Sequence, residues 1–168
     1  MEWILILGIL IFAILSLFLK KGLSSSNEYP YESINKLFSS AERSFYGVLT
    51  QAIGDEIVLL AKVRVADILK PTTGLSRSDW QKAFNRISSK HFDYVLCSKD
   101  SLSIIAVIEL DDKSHSQHKR IERDLLLDKA CESANLKLFR FKAAKSYSTS
   151  EIRNILFPDY PIQQNETE

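Results

Sequence analysis

The stretch Ala106-Val107-Ile108-Glu109-Leu110-Asp111-Asp112-Lys113-Ser114-His115 carries an apolar run into a cluster of acids and then a histidine. The run Ser103 to Ile108 predicts a strand, and strict alternation places Glu109 and Asp111 on one face of it. Upstream, His91-Phe92-Asp93-Tyr94-Val95-Leu96-Cys97 predicts a second strand with one acid. The link Ser98-Lys99-Asp100-Ser101-Leu102 is short and polar, so the two strands are expected to form an antiparallel hairpin. A loop centred near Asp100 or Ser101 sets Asp93 opposite, or nearly opposite, Glu109. A one-residue slip would send one acid to the other face. Carboxylates on neighbouring strands are oxygen ligands with room for water, which suits Mg²⁺ or Mn²⁺.

Outward from the hairpin, helical spacing covers Ser33 to Ile53, with an apolar stripe of Leu37, Ala41, Phe45, Val48, Leu49 and Ala52. Gly54-Asp55 stops it. Ile57 to Val65 is β-branched and aliphatic and predicts a strand, ended by Asp67 to Pro71. A loop, Thr72 to Ser78, leads to a short helix, Asp79 to Ile87. Arg77, Lys82, Arg86 and Lys90 give this region a local positive excess. That excess is a solvated face or, beside a phosphate-handling site, a track for phosphates. Trp80 and Phe84, four apart, are expected as core contacts, with stacking on a base as the alternative. Beyond the hairpin a helix is expected over Gln117 to Ala134, then a strand over Leu136 to Phe141 with Arg140 on the face opposite Phe139 and Phe141. Thr149 or Ser150 caps a last helix through Leu156, and Pro158 closes it. The order predicts an α/β domain with a mixed central sheet flanked by helices.

The 168 residues suffice for one domain plus extras, and 45% hydrophobic with 26% charged is a globular balance. A net charge of +1 argues neither for nor against a polyanionic partner. Cys97 and Cys131 are expected as buried free thiols of a reducing compartment, and without a C-x-x-C pair a structural zinc site has little support. Trp3 to Leu19 is uncharged and almost wholly apolar. As a helix it would be roughly 25 Å long at about 1.5 Å per residue, the short end of a membrane span. No cationic n-region precedes it, so an uncleaved single-pass anchor is expected rather than a signal peptide. Lys20-Lys21 then place the C-terminal part in the cytoplasm. The expected organisation is a transmembrane anchor at 1–21, a linker at 22–32, the α/β domain at 33–157 and a polar tail at 158–168.

Asp93 followed by Glu109-Leu110-Asp111 resembles the PD-(D/E)XK nuclease signature. The longer string Ile108 to His115, with Arg123-Asp124 and Lys129, is similar to the bacterial domain-of-unknown-function family 2726, placed near the very-short-patch-repair endonucleases. The resemblance covers about residues 30 to 157. It implies a restriction-endonuclease-like core and Mg²⁺- or Mn²⁺-dependent hydrolysis of DNA, with RNA as the alternative partner, and the N-terminal anchor would set this at the inner face of the bacterial cytoplasmic membrane. It implies Asp93, Glu109 and the backbone carbonyl of Leu110 as metal ligands. Asp111 departs from the pattern, which has lysine there. It is then a further metal or water ligand, and the cation must come from Lys113, Arg123 or Lys129. His115 matches a histidine of resembling domains that acts as base or phosphate contact. In related folds a glutamate of the first helix reaches the metal, a role for which Glu42 and a plain exposed glutamate are equal readings. His91 and His118 carry no motif. Two other functions stay open: a nuclease fold without turnover that grips nucleic acid or a protein, and an interaction domain whose acids never meet a metal.

Overall fold

The structure, a computed structural model, describes residues 2–22, 29–111 and 117–159, and only the backbone of 17–22 and 117–121. The chain divides into two compact units, Met1–Leu37 and Phe38–Glu168.

The first unit holds α1 (Glu2–Gly22), whose large apolar side chains from Trp3 to Leu15 are exposed. The helix forms where the apolar run predicts one, but the expected transmembrane helix is not found. Among the described residues no helix is long and apolar enough to cross a membrane.

The second unit is a mixed α/β domain with the elements α2 (Ser40–Ile53), β1 (Ile57–Arg64), α3 (Val65–Ile68), α4 (Arg77–Ile87), β2 (His91–Ser98), β3 (Ile104–Asp111), α5 (Gln117–Ser133), β4 (Leu138–Lys142) and α6 (Thr149–Leu156). The four strands lie in sequence order, β1 antiparallel to β2, β2 antiparallel to β3, and β3 parallel to β4. The expected hairpin is therefore present. On one face of the sheet Tyr94, Leu96, Ala106 and Ile108 pack with Phe45 and Leu49 of α2 and Ile152 of α6. On the other, Val95, Cys97 and Val107 pack with Val65 of α3, Ile87 of α4 and Leu127 of α5. Both cysteines are buried and free.

The boundaries move where capping chemistry decides them. The stripe read from Ser33 suggests an earlier start, yet α2 begins at Ser40 because Ser39 caps it. The Ser39 hydroxyl accepts from the Glu42 amide at 3.3 Å, and the Glu42 carboxylate accepts from the Ser39 amide at 2.8 Å. Leu37 is thereby left outside the helix and exposed. Gly54, at φ +72°, ends α2 in a conformation that disfavours a side chain. Ser148, not Thr149 or Ser150, caps α6 by accepting from the Glu151 amide. β4 starts at Leu138 because Asn135 turns at φ +51° and the Leu136 amide closes back onto the Cys131 carbonyl.

Leu49 and Leu37 separate buried from exposed members of one apparent stripe. In urea titrations Leu49→Ala should cost about 2–5 kcal/mol, whereas Leu37→Ala should stay within about 0.5 kcal/mol of wild type. Equal costs would contradict the placement of the α2 start.

Candidate functional site

β2 begins, and β1 and β3 end, at the same edge of the sheet, and each brings a charged side chain there. Tyr94 pairs with Ile108, so continuing the register sets Asp93 level with Glu109. Asp93 is fixed from two sides: its Oδ2 accepts from the Leu110 amide at 2.9 Å and its Oδ1 faces Lys62 Nζ at 3.3 Å.

Lys62 was not among the cations the sequence put forward, and it reaches Asp93. It stands across from Asp93, where the β1–β2 ladder pairs Ala61 with Tyr94 and Val63 with Phe92 but skips the residues between. Lys62 is left-handed at φ +54°, costly for a residue with a Cβ. The kink shifts which face the strand offers. Ile57, Leu59 and Ala61 pack on the α2 side, but Val63 joins the α5 side. Lys62 also forms an ion pair with Glu42 of α2. Burial would lower its pKa, yet hydrogen bonding to Glu42 and the charge of Asp93 hold it above its ordinary value. Burial likewise pushes the Glu42 carboxyl up, but Lys62 and the Ser39 cap hold it below the usual range. The Tyr94 hydroxyl donates to the Glu42 carbonyl at 2.6 Å and so ties the start of α2 to β2. The helix glutamate thus belongs to the cluster. A lysine inside an apolar strand that must pair with the Asp93 strand was the available signal.

Glu109 is 4% exposed. Its Oε2 accepts from Arg123 Nη2 at 3.0 Å, and its Oε1 is buried with no partner among the described residues. Burial, with the nearby Asp93 charge, pushes its pKa up to about 7 despite Arg123 and Arg140. Asp111, two residues on, turns to Arg140 Nη1 at 3.3 Å, and the same guanidinium meets Asp124 and Asp128 of α5. Arg140 is on the face opposite Phe139 and Phe141, as the alternation predicts.

Glu42, Lys62, Lys90, His91, Asp93 and Arg123 line an open cleft of about 470 Å³. Of the three cations expected from sequence, Arg123 is in the cleft. Lys129 is instead on the wall of a separate cavity with Leu69 and Arg86, because α5 turns it away. Lys113 and His115 lie outside the described residues. Leu110 offers its amide to Asp93 and packs its side chain into the α2-side core.

Among the described residues no three His, Cys, Asp or Glu side chains group so as to hold a metal ion. The donors that do converge are two carboxylates, Asp93 and Glu109, the latter with an unmatched buried oxygen. That set fits Mg²⁺, which is usually held by one or two carboxylates with water and phosphate completing its shell.

In the absence of metal, stability should respond to Glu109. Its folded carboxyl holds a proton more tightly than the unfolded one, so the protein loses stability as pH rises from about 4.5 through about 7. Melting curves from pH 5 to 8 should show on the order of 2–3 kcal/mol less of this loss in Glu109→Gln. Identical pH profiles would refute the burial. At the kink, Lys62→Gly should be about 1 kcal/mol more stable than Lys62→Ala, because both lose the ammonium and only one keeps a Cβ.

A family profile described as a protein of unknown function, DUF2726, matches residues 34–158. No curated protein and no solved structure matches the chain.

Proposed function

The chain belongs to the DUF2726 family, and from that premise we propose that it is a Mg²⁺-dependent nuclease that hydrolyses phosphodiester bonds of DNA, with RNA the second choice. The observation that carries this reading is the buried Glu109, level with Asp93 and with one oxygen unmatched among the described residues, while Asp93 itself faces a lysine held by two acids. Element order supports it as well: helix, three antiparallel strands, helix and a parallel strand follow the restriction-endonuclease-like core that the sequence resembles.

In this reading Asp93 and Glu109 hold the cation, with the Leu110 carbonyl beside them. When bound, the ion polarises the phosphate and acidifies a water. Lys62 supplies the positive charge that Asp111 cannot, facing the oxygens on which charge builds. Arg123 keeps Glu109 oriented. Asp111, already engaged by Arg140, positions β3 against α5. Metal binding must displace the Glu109 proton, so affinity rises with pH through the region of about 7. The apolar side chains that α1 exposes from Trp3 to Leu15 support association of the chain with a membrane surface.

The test uses the full-length chain in detergent. Calorimetry with Mn²⁺ should give binding that Asp93→Asn and Glu109→Gln abolish. Lys62→Met should keep the metal and lose cleavage by about a hundredfold or more. A chelator should stop cleavage in the wild type. A folded wild type that cuts no DNA or RNA with Mg²⁺ or Mn²⁺ refutes the activity. One observation favours a non-catalytic clamp instead: the acid at the usual lysine position is already neutralised by Arg140. Salt-dependent DNA binding that survives Glu109→Ala, without cleavage by wild type, would establish that reading. In flotation with vesicles, the full chain should rise with lipid and residues 23–168 should not.

A further inference from the structure

From Lys70 to His91 the sequence holds five lysine or arginine residues against one acid. One of the five, Lys82, is satisfied by that acid, Asp79, at 3.2 Å. Arg77 and Lys90 have no carboxylate partner among the described residues. Both bear on a single line of α4. Arg77, Trp80, Phe84 and Ser88 follow at three- and four-residue spacing, which aligns them along one side of a helix. The line ends where the chain leaves α4, and the next three residues, Ser89, Lys90 and His91, form a wall of the Glu42–Lys62–Asp93 cleft.

The line is aromatic in its middle. The rings of Trp80 and Phe84 stack at 5.2 Å between centroids and 11° between planes, and Trp80 is 40% exposed. The pair was expected to be core. Of the α4 side chains only Ile87 is buried, so the stacked rings are not absorbed by packing. A flat apolar surface bracketed by unpaired cations, leading into a carboxylate–lysine cleft, matches one kind of occupant. A nucleic-acid strand presents phosphates at intervals and bases that stack on aromatic faces. In a duplex the bases already stack on each other and cannot use such a platform.

We propose that the Arg77–Trp80–Phe84 line of α4, continued by Lys90 and His91, is a track for an unpaired nucleic-acid strand beside the scissile phosphate. The inference rests on the nuclease reading of the cleft and names its substrate form. Over the twelve residues from Arg77 to Ser88 the line is about 16 Å long, enough for two or three nucleotides. Trp80 stacks on a base, while Arg77 and Lys90 take phosphates at either end. The positive surface thereby serves DNA or RNA and not an anionic lipid headgroup.

The experiment measures binding without cleavage. The full chain in detergent, with chelator present, is titrated into a fluorescent 20-nucleotide single strand of mixed sequence, its duplex, and a duplex with an unpaired tail. Wild type should prefer the single strand and the tailed duplex. Trp80→Leu, which keeps apolar bulk but removes the π face, should weaken both by about tenfold, and Trp80→Phe should restore them. Arg77→Gln should lower the slope of log affinity against log salt by about one, with no change in melting temperature. Equal affinity of wild type and Trp80→Leu for the single strand overturns the track. So does binding to phosphatidylglycerol vesicles that Arg77→Gln abolishes while DNA binding stays intact. Because no metal is present, absent cleavage in a separate Mg²⁺ assay would defeat the nuclease reading and leave this result standing.

Discussion

A carboxylate held out of water sets the terms for the end of this sheet. Glu109 enters the interior on β3 between Ile108 and Leu110, and an ionised group there costs several kcal/mol unless charge comes to meet it. Three cations from three elements are arranged around the acids at that end. Lys62 of β1 answers Asp93 and Glu42, Arg123 of α5 answers Glu109, and Arg140 of β4 answers Asp111, Asp124 and Asp128. Each ion pair also joins one element to another. The strand ends, α2 and α5 are therefore located relative to one another by charge, while the two apolar cores on either face supply the burial energy.

Among the described residues the compensation is incomplete at one buried atom, Glu109 Oε1. Asp93, Glu42 and Asp111 each have a cationic partner, and the protein tolerates a Glu109 carboxyl whose proton is released only near neutrality. Buried unmatched oxygens are rare in native proteins and call for an explanation. In the metal-dependent reading proposed above, a divalent ion would satisfy that oxygen and offset the cost of desolvating the acid.

Much of this was legible in the sequence, and the reasons differ by element. The hairpin could be read because alternation and a short polar link fix both strand direction and register, so Asp93 and Glu109 were found together. The stripe Phe45, Leu49, Ala52 could be read because a helix of period 3.6 buries it on one side. Lys62 could not be chosen so directly. Its approach to Asp93 depends on a left-handed kink that no local pattern announces, and motif spacing pointed to residues after the acids instead. Lys129 lies apart from the cluster for the complementary reason: proximity in sequence to Arg123 does not survive the turn of a helix. The aromatic pair on α4 was misjudged because helical spacing signals that a stripe exists and not that anything covers it.

The kink at Lys62 has a consequence for how the site comes into being. The two acids lie on a hairpin closed by a short link, the kind of contact that forms early and at little entropic cost. Their cation arrives from β1, on the far side of α3 and α4, and only when the outer strand has docked in register. A chain with the hairpin made and β1 still loose would carry Asp93 with no ammonium beside it. Completeness of the charge cluster is thus a property of the whole sheet and not of the hairpin alone.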